Sequence, residues 1–180
     1  MFEKPRWSLL ILVLLFLVPQ SFFVIGDYIA IGFRFPLFRI QLVFQSIAMP
    51  SGEITTFITP SIITVVRELE FISMGVVGSS LGKTAVATYI WLAGAVLLVA
   101  AAVLVLTWQV LENPSHAPYP GPLIIAAGAL FILWAMVQFG ILFSGPVGYS
   151  IPIGIPFLWY CGYQFMKAGK EAALAGAAED

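Results

Sequence analysis

Thr84–Trp108 reads TAVATYIWLAGAVLLVAAAVLVLTW, with no charged side chain anywhere in the run. A helix rises about 1.5 Å per residue and a bilayer core is about 30 Å thick, so this stretch reads as a membrane-spanning helix. The rest of the chain is then sorted by which side of the bilayer it occupies.

The composition fits. Of 180 residues, 61% are hydrophobic and 9% charged, far below the roughly 25% charged content of soluble domains. Net charge is −1, and the eight Lys and Arg are scattered, so no basic stripe for nucleic acid exists. The single cysteine, Cys161, cannot close an intrachain disulfide and lies in an apolar stretch, where it reads as a packing residue.

Three more apolar runs are read as spans, giving a mainly α membrane protein: a four-transmembrane-helix bundle with a small β-rich extracytoplasmic segment between helices 1 and 2. Residues 1–26 hold the N-terminus and a first span from Trp7 to Gly26 behind Lys4 and Arg6. That run exceeds the 7–15 apolar residues typical of a secretory signal, so it reads as an uncleaved anchor. Residues 84–166 hold spans at 84–108, 123–143 and 149–166, and 167–180 form an Ala-rich tail. The fourth span carries Pro152 and Pro156, which predict a kinked helix facing protein. Basic residues at both ends, with none in the 109–121 and 144–148 connections, place both termini in the cytoplasm of a multi-pass cell-membrane protein.

Between Asp27 and Lys83 charges recur too often for a span. Ile29, Ile31, Phe33 and Phe35 alternate with Tyr28, Ala30, Gly32 and Arg34, which is strand periodicity. After Pro36 the parity inverts: Phe38, Ile40, Leu42 and Phe44 are apolar, so a second strand follows a bend at the proline. Met49–Gly52 reads as a turn, and Thr59-Pro60-Ser61 separates two further Ile-, Thr- and Phe-rich pieces. The second, 62–71, fits a strand or a helical stripe of Ile62, Val65, Val66, Leu69 and Ile72.

Chemical motifs are few. Gly78–Thr84 resembles a phosphate-binding loop, but Val77 stands where its first glycine belongs, and Lys83 reads as an interfacial anchor. Arg67, Glu68 and Glu70 form the densest charge cluster; on a strand, both acids share one solvated face opposite Arg67. His116 sits alone in a proline-rich loop, and no metal or cofactor site is expected. The spans hold no Asp, Glu, Lys, Arg or His, which argues against an ion-coupled carrier. Small residues recur every seven: Ala87, Gly94 and Ala101 in the second span, and Gly121, Gly128 and Ala135 at and in the third. These stripes predict close antiparallel packing of spans two and three, with Gln138 hydrogen-bonding between helices.

The layout resembles the claudin-type tetraspan arrangement in topology. Residues 27–83 contain neither Trp nor Cys, so that family's outer-loop tryptophans and cysteine pair have no counterpart here and no residue role carries over.

The expected function is a non-catalytic membrane scaffold or subunit, self-associating or joined to a larger membrane complex in the lipid bilayer. It would interact through Phe33, Phe35 and Phe38, with Arg34 and Arg39 at a polar rim. An oligomeric channel or small-solute transport protein lined by backbone carbonyls, or a membrane enzyme using Glu68 and Glu70 or a cofactor-binding subunit, are the alternatives.

Overall fold

A computed structural model describes residues 5–26, 29–48, 54–75, 82–110 and 119–176. The Met49–Gly52 turn, most of the Gly78–Thr84 run, His116 and its prolines, and Lys4 lie outside the described residues.

The described chain runs α1 (Pro5–Leu17), β1 (Ser21–Ile25), β2 (Ala30–Arg34), β3 (Phe38–Ala48), β4 (Ile54–Thr64), α2 (Val65–Ser73), α3 (Lys83–Val110), α4 (Pro120–Phe139), β5 (Ser144–Gly145), β6 (Gly148–Ile151) and α5 (Ile155–Gly176). The strands form one antiparallel sheet in the order β4-β3-β2-β1-β6-β5.

The four-span bundle is overturned by this arrangement. Two described helices, Lys83–Trp108 and Pro120–Phe139, are long and apolar enough to cross a bilayer. In the first expected span the helix stops at Leu17 after 13 residues, about 20 Å, which is short of the hydrocarbon core. Pro19 cannot continue the helical hydrogen-bond ladder, and Ser21–Ile25 leaves as a strand. The expected fourth span is divided as well. Gly148–Ile151 is a strand beside β1, Pro152 lies in the connection, and Pro156 occupies the first turn of α5, where a missing N–H costs nothing. Neither proline kinks a helix. The placement of both termini in the cytoplasm rested on four crossings and lapses with them.

The β-rich segment is larger than 27–83, because β1 comes from before it and β5 and β6 from the distant connection after α4. Phe22 pairs with both Phe33 and Ile151. β2 and β3 form a hairpin closed at Pro36 by the Phe35 N–H donating to the Phe38 carbonyl. Pro60 does not divide β4, which runs unbroken with Pro60 opposite Leu42; a proline is tolerated there because β4 is an edge strand. The 62–71 ambiguity resolves into both alternatives: the strand ends at Thr64, whose hydroxyl caps α2 by accepting from the Arg67 N–H at 3.4 Å.

The core lies where the sheet's inner face meets the helices. Phe23 joins Leu15 of α1, Trp91 and Leu98 of α3, Phe131, Trp134 and Phe139 of α4, and Leu158 and Phe165 of α5.

Candidate functional site: two faces of one sheet

Strand register fixes which residues share a face. Ser150, Phe23, Gly32, Gln41 and Ser61 form one cross-strand row, and Ser21, Arg34, Arg39 and Ile63 form the next. This is the inner face, with Phe23, Gly32 and Arg34 buried in it. Gly32 is required where β2 and β3 approach: a Cβ there would stand 2.2 Å from the Ile40 carbonyl oxygen.

Arg34 is 3% exposed. Its Nη2 donates to Oε1 of Glu68 on α2, and the same oxygen lies 3.1 Å from Nε of Arg39. Its guanidinium carbon stacks 4.1 Å from the Trp91 ring centroid on α3 and 4.4 Å from Trp134 on α4. One side chain therefore ties four elements together: β2, α2, α3 and α4. Burial pulls the Arg34 guanidinium down to about 10, against the opposing pull of Glu68, so it stays charged at neutral pH. The electron-rich ring faces and the carboxylate offset the desolvation of that charge.

Beside this cluster is a partly open cavity of ≈ 50 Å³, walled by the inner face of the sheet, Glu68 of α2, Thr84 and Thr88 of α3, and Gln138 of α4. Arg34 and Glu68 both line it, and Nε of Arg34 and Oε2 of Glu68 are buried without hydrogen-bond partners in the protein.

The polar-rim expectation for Arg34 and Arg39 is corrected: both lie on the inner face, Arg34 fully covered and Arg39 partly so. The shared solvated face of Glu68 and Glu70 is corrected too. On a helix they diverge: Glu68 turns inward, while Glu70 pairs with Arg67 on the surface at 2.7 Å.

The outer face is apolar. Ile151, Phe22, Phe33, Ile40 and Ile62 form a continuous row across five strands. Phe33 is 42% exposed, Ile40 40%, Ile62 68% and Ile151 50%; Leu42 and Ile58 lie exposed on the same face. The register places no charged residue on that face among the described strands. Phe38 begins β3 on this same face, opposite Thr64, and stacks on Phe35 at the hairpin turn, centroids 4.5 Å apart.

In the helices, Ala87 and Ala101 are buried, and Gly94 lets the Phe131 ring of α4 approach α3. Gly121 and Gly128, however, face α5 rather than α3. Gly121 meets Gly162 and Met166, while Gly128 lies under Trp159, whose Nε1 donates to the Ile125 carbonyl. Ala135 is buried, and Gln138 borders the cavity. Cys161 is a free, buried thiol. Alternation could locate the sheet but not its partner, so the pairing of Arg34 with Glu68 and the Trp91–Trp134 cage had no signal in the sequence pattern.

Comparison with protein-family models, curated proteins and solved structures finds no match to this chain.

Proposed function

We propose that the protein is a non-catalytic membrane subunit, held in the bilayer by α3 and α4, whose outer sheet face joins it to a second copy of itself. The uninterrupted apolar row from Ile151 to Ile62 carries this reading. Five strands about 4.8 Å apart, taken over about 20 Å of strand length, present a face on the order of 500 Å². That matches the largest apolar patches that monomers leave open, which are often functional. Two such faces bury on the order of 1,000 Å², the area at which specific interfaces begin. A face without charge is complementary to itself, as a two-fold interface requires, and apolar sheets stack face to face about 10 Å apart.

Against catalysis stands the commitment of Glu68 to two guanidiniums. As the carboxylate at the cavity, it is engaged in holding the sheet on the helices.

Replacing Phe33 and Ile40 together by Thr preserves strand preference while removing the centre of the apolar row. The wild type purified in gentle detergent should have the native mass of a dimer and the double variant that of a monomer. A monomeric wild type, or a variant that remains dimeric, refutes the proposal; a face that rests on lipid instead would give a monomer in both.

A further inference from the structure

We propose that the cavity between the inner sheet face and the ends of α3 and α4 holds a terminal phosphate group, carried as the monoester of a lipid or free as inorganic phosphate. Arg34 and Arg39 face one carboxylate, Glu68, so the cavity walls carry one uncompensated positive charge. Arg39 is only partly covered, so water screens part of that charge, and an anion entering from the open side of the cavity would neutralise the rest.

The unpartnered atoms narrow the chemistry. Arg34 offers a buried donor, Nε, and Glu68 a buried acceptor, Oε2. A carboxylate ligand would satisfy the first and repel the second. A singly protonated phosphate monoester satisfies both: its P–O⁻ oxygens accept from the guanidiniums while its P–OH donates to Glu68. Thr84, in the first turn of α3, adds a hydroxyl at the positive end of a 28-residue helix. The cavity, at ≈ 50 Å³, exceeds the 10–15 Å³ needed for one water and suits a small anion.

Depth admits a lipid source. The cavity lies where α3 begins, at Thr84 and Thr88, and where α4 ends, at Gln138. If those helices cross a bilayer, their ends mark the headgroup level. The free-phosphate source does not depend on that crossing, and neither source depends on the dimer.

Isothermal titration calorimetry of the full chain in detergent tests the site with dioctanoyl phosphatidic acid, dioctanoyl phosphatidylcholine and inorganic phosphate as probes. Phosphatidic acid should bind and phosphatidylcholine should not, with affinity falling at least tenfold in Arg39→Gln. Thr84→Glu provides a second variant that favours helix initiation while placing a negative charge at the cavity, and it should abolish binding. Binding of inorganic phosphate with similar affinity assigns the site to phosphate itself; binding of phosphatidic acid alone assigns it to lipid. The proposal fails if neither phosphate probe binds, if phosphatidylcholine binds as well as phosphatidic acid, or if both variants bind like wild type.

Discussion

Arg34 and Glu68, separated by 34 positions in sequence, form a buried ion pair that fastens the sheet to α2 beneath the ends of α3 and α4. Removing one member of such a pair strands the other, at a cost of about 3–5 kcal/mol, whereas replacing both with apolar residues is often close to neutral. Glu68 keeps Arg39 as a partner when Arg34 is removed, whereas Glu68→Met leaves the buried Arg34 without its carboxylate and should therefore lower the thermal midpoint in detergent strongly. Arg34→Met/Glu68→Met should recover most of the loss, since Arg39 retains some access to water. Equal losses in the single and double variants would show that the pair contributes little beyond its packing.

The tryptophan cage makes a separate prediction. Trp134→Phe keeps a ring against Arg34 and should cost less than Trp134→Leu. In an Arg34→Met background the part due to the cation is gone, so the Phe-to-Leu difference should shrink by about 1–2 kcal/mol. Thermal unfolding of the four variants reads that coupling. An unchanged difference would assign Trp134 to packing alone.

Glycines along α4 should differ by what faces them. A Cβ at Gly121 would lie 2.5 Å from the Met166 backbone nitrogen and 2.7 Å from the Gly162 carbonyl oxygen. Backbone cannot swing aside, so Gly121→Ala should cost about 1–3 kcal/mol by prising α4 from α5. At Gly128 the obstacle is the Trp159 side chain, which is partly exposed and can rotate away. Gly128→Ala should be milder in thermal unfolding, and the reverse order would contradict the packing described.

The long helices and the existence of β2 and β3 were legible in the chain, because a charge-free run of helix length and a strict two-residue alternation each have few alternatives. The short apolar pieces were not. Ser21–Ile25 is apolar on both faces, so it extended an apparent span until Pro19 and pairing with Gly148–Ile151 made it a strand. Alternation also leaves open which face is inside. Arg34 suggested an exposed face, yet it is covered because Glu68, Trp91 and Trp134 supply partners that no local pattern reveals. For the same reason the alternation grouped Phe33 with its apolar neighbours on one face, while the cavity beside Arg34 was not legible.

If two copies meet through their outer sheet faces, as proposed, equivalent residues at the centre of those faces lie within cross-linking distance. Phe33 stands in the middle of the apolar row. With the one native thiol removed by Cys161→Ala, Phe33→Cys should be joined to its counterpart in liposomes by a bis-maleimide reaching about 10 Å, the spacing of stacked sheets. Leu174→Cys, exposed near the far end of α5, serves as the control. Covalent dimers from Phe33→Cys with none from Leu174→Cys is the predicted result; no dimer from Phe33→Cys, although its thiol reacts with a monofunctional maleimide, would contradict the claim.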